Sequence, residues 1–182
     1  MRALHRLGRK AGHGGMMKRI FTIGYEGAAL ADFVQVLKDA QVNILLDVRE
    51  IPISRRKGFS KTALGNALAE VGIAYRHEKQ LGSPKIIRHR LRKDGDYQRF
   101  FRAFERYLAG QRSLLEDLAD ALKGNVALMC YEKNHEDCHR RSVADALAKI
   151  LAKRPIHLGI CDHAGKASNP TSPHSRQSVS AT

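Results

Sequence analysis

Short apolar runs alternate along this chain with stretches whose apolar residues recur at helical spacing, and that alternation constrains the fold more than any other feature. Arg19–Gly24, Asn43–Val48, Ile73–His77 and Val126–Tyr131 read as strands, with Pro155–Ile160 as a fifth at an edge. Between them Leu30, Phe33, Val34 and Leu37 follow a helical period, as do Leu64, Leu68 and Val71 before Gly72, a residue suited to a left-handed helix stop. Tyr97, Phe100, Phe101, Phe104, Tyr107 and Leu108 make an aromatic stripe whose spacing suits a core face better than a base-stacking platform. Leu114–Leu122 and Arg140–Lys153 add two more helices. This order predicts βαβ units: an α/β fold with an open, mostly parallel sheet of four or five strands, helices on both faces and right-handed crossovers.

A chain of 182 residues suits one domain, expected over residues 17–161. Residues 1–16, basic and glycine-rich, precede the first regular pattern and read as a disordered extension; residues 162–182, rich in Ser, Pro, Asn and Gly, read as a disordered tail. The formal net charge is +14, and removing four cations at the first end and a net one at the last leaves +9 on the core. Such an excess favours an anionic partner, either a phosphate-bearing substrate or nucleic acid. Three cysteines, odd in number and irregularly spaced, argue against a disulfide framework and for a reducing, cytoplasmic setting. No run approaches the ~20 apolar residues of a membrane span. No motif specifies a cofactor, and no pattern encodes the oligomeric state.

The chemistry-bearing residues cluster where the strands end. Tyr25 and Glu26 follow the first strand, Asp47 and Arg49 close the second, and the run Cys130-Tyr-Glu-Lys-Asn-His-Glu-Asp-Cys-His-Arg-Arg141 follows the fourth. Open α/β sheets place their sites at this edge. Gly24 and Gly27 flank a turn that either cradles phosphate or simply bends the chain, since Gly-x-x-Gly falls short of a nucleotide fingerprint. Asp47 and Arg49 could pair structurally, act chemically, or both. The loop Ser54-Arg-Arg-Lys-Gly-Phe-Ser-Lys61 offers Ser54, Arg55 and Lys61 to an anion, or only to solvent. In the second basic run, Lys85 to Lys93, the alternating Arg88, Arg90 and Arg92 would share one face of an extended segment.

Cys130, Cys138 and His139, with His135 as a fourth donor, suggest zinc. Yet Cys-x7-Cys-His without a second compact pair departs from the usual structural pattern, so no metal is assigned. Glu at position 136 denies Cys130 the Arg of a Cys-x5-Arg phosphatase loop. Cys138 should sit at a helix N-terminus beside His139, Arg140 and Arg141, where a thiol's pKa is expected to fall. The same residues could instead cap the helix and pair Arg140 with Glu132 or Asp47. Cys161 reads as incidental.

Five motifs in order carry a family resemblance. They are Thr22-Ile-Gly-Tyr-Glu-Gly27, Asp47-Val-Arg-Glu-Ile-Pro-Ile-Ser-Arg55 with Gly58-Phe-Ser-Lys61, Gly72-Ile-Ala-Tyr75, Leu81-Gly82, and Cys130-x-Glu132-x5-Cys138-His-Arg140. Together they resemble the bacterial family known as domain of unknown function 488, over roughly Arg19 to Lys153. The resemblance implies a Rossmann-like α/β domain and no established reaction. Ser83 departs from it, standing where the family pattern has a second glycine.

Three readings of function follow. The first is a hydrolase-like enzyme acting on a nucleotide, nucleic acid or other phosphorylated substrate. In it Tyr25, Arg49, Ser54, Arg55, Lys61 and Arg140 hold the anion, while Glu26, Asp47, Glu132, Cys138 and His139 form the catalytic set. The second is a non-catalytic nucleic-acid-binding module. The third is a zinc- or thiol-dependent protein built on Cys130, Cys138 and His139. The first reading requires positions 26, 47–49 and 130–140 to surround one pocket.

Overall fold

A computed structural model of the chain describes residues 17–160. The readings made above of residues 1–16, of Cys161 and of residues 162–182 fall outside them. Five strands, β1 (Met17–Gly24), β2 (Ile44–Asp47), β3 (Ala74–His77), β4 (Gly124–Cys130) and β5 (Pro155–Leu158), form one sheet in the order β3-β2-β4-β1-β5. Every pairing is parallel, so the sheet is a Rossmann-like open sheet. Central β4 has six of its seven residues buried, whereas the edge strands β3 and β5 have none. That contrast is what burial on both faces produces in the middle of a parallel sheet.

Alternation along the strands divides the core into two layers. Phe21, Ile23, Leu45, Ala127 and Met129 face α1 (Leu30–Asp39) and α2 (Lys61–Ala69), where Phe33, Leu37, Leu64 and Leu68 are fully buried. Ile20, Leu46, Val126, Leu128 and Cys130 face the other way. They meet α4 (Tyr97–Ala109), α5 (Arg112–Ala121) and α6 (Arg140–Leu151) through Phe104, Leu108, Leu115, Leu118, Val143 and Leu147. Each such Leu or Phe contributes about 1.5–3 kcal/mol of burial, so the helical stripes hold the two layers on. The aromatic stripe of α4 is a core face at Phe100, Phe104 and Leu108, whereas Tyr97, in its first turn, stays exposed.

One element differs from the sequence reading. Residues Lys85–Asp94 form a helix, α3, between Pro84 and a left-handed Gly95 at φ 67°, rather than an extended segment. Ile87 and Leu91, one turn apart and partly buried, provide the apolar edge that makes the helix worthwhile. The alternating arginines therefore do not share a face. Arg88 and Arg92, four residues apart, turn toward one cleft, while Arg90 lies beside Lys85, Ile86, His89 and Lys93 around another hollow.

The topology creates the site. β2 leads into α2 on one face, while its neighbour β4 leads into α6 on the opposite face. The loops after these strands diverge, opening a crevice at their carboxyl ends, and such switch points are where open α/β sheets bind ligands.

Candidate functional site

The crevice is a cleft of about 670 Å³. Its walls come from three segments: Arg49–Arg56 after β2, Ser83 with α3, and Cys130–His139 after β4, with Tyr25, Tyr97 and Phe100 completing the lining. Register explains the convergence, because Gly24 lies opposite Cys130 and Asp47 opposite Met129, so three strands stop level with one another. Two glycines permit the close approach of their loops. A Cβ on Gly24 would collide with the Glu132 carbonyl, and one on Gly82 would strike the backbone of Arg49 and Glu50.

Beneath one side lies a closed ion pair. Arg49 donates from Nε to Asp47 Oδ1 at 2.8 Å and from a terminal nitrogen to Oδ2 at 2.5 Å. The other terminal nitrogen donates to the Tyr25 hydroxyl at 2.8 Å and the Phe59 carbonyl at 3.0 Å. Asp47 is fully buried and also accepts from the Arg49 amide and the Tyr75 hydroxyl. Burial and the hydrogen bond to Asp47 both push the Tyr75 phenol far above its usual value. For Arg49, burial acts to lower the pKa but Asp47 overrides it, keeping the guanidinium charged. Every oxygen of Asp47 is engaged, which makes it an anchor for the following loop.

The other side holds Cys130, Glu132, Cys138 and His139, whose donor atoms all lie within 4.8 Å of one another. The Cys138 thiol donates to Glu132 Oε2 at 2.9 Å, and His139 Nδ1 stands 3.8 Å from Cys130 Sγ and 4.0 Å from Cys138 Sγ. The other ring nitrogen, Nε2, lies 2.9 Å from the Val48 carbonyl. A carbonyl only accepts, so Nε2 carries a proton and Nδ1 is the ring atom presented to the cluster. Burial would raise the Glu132 pKa, but hydrogen bonds from Cys138 and Cys130 outweigh it and hold the carboxyl below its ordinary value. Burial of His139 acts downward and is outweighed by Cys138, the Val48 carbonyl and Glu132, leaving the imidazole above its usual value.

Cys138 overturns one expectation. Its thiol is 1% exposed, and burial together with neighbouring Cys130 drives its pKa well above the ordinary thiol value instead of lowering it. The nearby helix start and arginines were the sequence signal, but desolvation dominates inside the core. Arg140 also turns inward. It is 1% exposed and donates to the carbonyls of Glu132 at 2.5 Å and Lys133 at 3.0 Å, bracing the loop rather than pairing with either carboxylate.

The predicted site residues are thus only partly gathered. Tyr25, Arg49, Ser54, Arg55, Glu132 and His139 line the cleft, with Cys138 just behind it and Asp47 below. Glu26 lies elsewhere, in a separate hollow with Gly24 and Leu158, where its carboxylate accepts from the Lys133 amide at 3.0 Å. Lys61 starts α2 and is not among the cleft residues. His135 stacks on His157 at 3.5 Å between ring centroids, away from the thiols, so Glu132 takes the fourth place in the cluster.

Several cleft residues had drawn notice in the sequence without being assigned to the site. Arg56, Arg88, Arg92 and Ser83 all line it. Arg88 pairs with Glu50 at 2.6 Å and donates to the Ser83 carbonyl, and Arg56 donates to the Ala28 carbonyl. Arg55 and Arg92 are exposed and have no hydrogen-bond or ion-pair partner among the described residues. The Ser83 hydroxyl is buried and likewise without a partner. The helical spacing of Ile87 and Leu91 was the available clue to Arg88 and Arg92 facing one way.

Fold and crevice together define an open-sheet α/β protein with a basic, strand-end cleft over a buried thiol–imidazole–carboxylate cluster. The chain belongs to the family described as domain of unknown function DUF488, whose family model matches residues 29–147. That span includes the Asp47–Arg49 pair, the Cys130–His139 cluster and all of α3, but not Tyr25 or the Gly24–Gly27 turn. No curated protein and no solved structure matches the chain. Among the described residues, no helix is long and apolar enough to cross a membrane.

Proposed function

We propose that the cleft binds a phosphate-bearing substrate, of which a nucleotide is the best fit, and that the chain is an enzyme acting on it. One observation carries the reading: Arg55 and Arg92, without partners among the described residues, line the same cleft as the orphaned Ser83 hydroxyl and Glu132. Two guanidiniums and a buried donor meet the needs of phosphate oxygens, which accept several charge-assisted hydrogen bonds at once. Tyr97 and Tyr131 are 46% and 43% exposed at the lining, offering π-faces to a base. Bound substrate would lie over Glu132 and His139, so the floor cluster is where bond-breaking chemistry would occur. Hydrolysis is the reaction class this arrangement serves most directly.

A panel of nucleoside mono-, di- and triphosphates tests this by calorimetry and by product analysis. Joint replacement Arg55→Ala/Arg92→Ala should weaken binding at least about tenfold, because each lost charged hydrogen bond is worth about 1.5–3 kcal/mol. Equal affinity in the double variant, or no binding by the parent chain, would reject the reading.

The second reading, a nucleic-acid-binding module, draws on α3 itself. Its Lys85, Arg88, Arg90, Arg92 and Lys93 ring a helix with no buried residue. Binding to single-stranded oligonucleotides that falls steeply with salt, with no turnover of any nucleotide, would favour it.

A further inference from the structure

We infer that Cys130, Glu132, Cys138 and His139 form a binding site for a single transition-metal ion, with zinc the matching chemistry. An ion held tetrahedrally at ordinary Zn–S, Zn–N and Zn–O lengths separates its donor atoms by about 3.3–3.8 Å. The two sulfur-to-nitrogen distances here are 3.8 and 4.0 Å, and the whole set spans no more than 4.8 Å. The donors therefore stand nearly where an ion requires them. Three of the four residues are buried, so this is not a loose surface grouping of acids.

Three features beyond proximity belong to metal sites. His139 commits Nε2–H to the Val48 carbonyl at 2.9 Å, the second-sphere hydrogen bond that orients a metal-binding imidazole and leaves Nδ1 to coordinate. The Arg140 amide donates to Cys138 Sγ at 3.5 Å, a contact that stabilises a coordinated thiolate. The Arg140 side chain pins the Glu132 and Lys133 carbonyls, fixing the loop that delivers Glu132. Two thiolates with an imidazole and a carboxylate form a borderline-soft set that suits zinc better than magnesium or calcium. Binding would displace the thiol protons, including the one Cys138 donates to Glu132, and would release them to solvent.

The ion would tie the end of β4 to the first turn of α6. Glu132, the least buried ligand, lies on the cleft side, so its exchange for water would open one coordination position toward the cleft. That last role rests on the proposed function, whereas metal binding does not.

The test uses the full chain, reduced, with no nucleotide present. Elemental analysis should find one zinc per chain, and the stripped protein should take up zinc with sub-micromolar affinity against a competing chelator. Cobalt(II) should bind with the sulfur charge-transfer bands and intense d–d absorption of a tetrahedral thiolate site. Cys138→Ser should at least halve the sulfur charge-transfer intensity, since Cys130 alone would supply sulfur, and Glu132→Gln should weaken zinc binding about 10-fold or more while circular dichroism stays unchanged. Should Cys138→Ser fail to fold, Glu132→Gln decides alone. A folded, reduced chain that takes up neither ion, an octahedral cobalt spectrum without sulfur bands, or an unaltered affinity in Glu132→Gln would overturn the inference. Failure here leaves nucleotide binding by the cleft untouched, because the two measurements share no component.

Discussion

Two polar clusters sit side by side under the same cleft and differ in one respect. Around Asp47 and Arg49 every carboxylate oxygen has a partner, and the guanidinium spans Asp47, Tyr25 and the Phe59 carbonyl. Around Cys130, Glu132, Cys138 and His139 the sulfurs stand 3.8 and 4.0 Å from the ring nitrogen, with weak thiol donors as the main internal contacts. Both groups follow a strand end within a charged motif, so sequence treats them alike. Internal satisfaction separates them: the first is self-contained, while the second gains most from something added.

The strongest way to break this comparison is to remove a member of the closed pair. Asp47→Ala should cost about 3–5 kcal/mol in urea unfolding, because the Arg49 charge would stay buried without its counter-ion. A loss below 1.5 kcal/mol would show that the pair is not the anchor described here. Next comes Gly82, one of the two glycines that let the loops meet. Gly82→Ala should cost about 1–3 kcal/mol, since the new methyl overlaps the backbone of Arg49 and Glu50 and something must shift. Gly65→Ala, where a Cβ meets only the Tyr75 ring at ordinary contact distance, provides the matched control and should be stabilising or neutral.

A smaller effect sharpens the contrast from the other side. Glu132→Gln in metal-free protein should change unfolding free energy by no more than about 1.5 kcal/mol, the net worth of an ordinary hydrogen bond. If it matches Asp47→Ala instead, the thiol cluster is as structural as the ion pair. Smaller still is the effect of Arg55→Ala and Arg92→Ala, both exposed, which should leave stability within about 0.5 kcal/mol while nucleotide affinity falls. Unequal stability in these variants would mean that the cleft arginines hold the fold.

The faintest effect concerns the stacked rings. Partial desolvation in the stack lowers the pKa of both His135 and the largely exposed His157, with neighbouring positive charge contributing, so each should titrate below the ordinary imidazole value of 6.5 by NMR. The unfolded chain then binds protons more readily than the folded one. The contribution of these two rings to stability should be complete above pH 6.5 and should decline as pH falls through their lowered folded values. Titration of either ring above 6.5 would contradict the stacked geometry.

Much of the fold was legible because strand and helix periods are local. The apolar run Val126-Ala-Leu-Met129 lies within β4, and Leu64 with Leu68 faces the core from α2, as read. The helix at Lys85–Asp94 escaped because its charges mask the Ile87–Leu91 spacing. The order β3-β2-β4-β1-β5 escaped for a different reason: strand order depends on which crossovers pack, not on any one strand's sequence. At the site, the Cys130–Arg141 run announced itself by composition. Its internal roles did not, since Arg140 turns to backbone carbonyls and Glu26 to a separate hollow.

By itself, then, the sequence determined the succession of elements apart from α3, the parallel sheet and the strand-end location of the polar residues, because hydrophobic period and turn chemistry act over a few neighbours. Only the tertiary structure decided which of those residues share the cleft, why the Cys138 thiol is held above its usual pKa, and which nitrogen His139 presents. Burial and a hydrogen bond to Val48, ninety-one residues away, set those properties, and no local pattern encodes either.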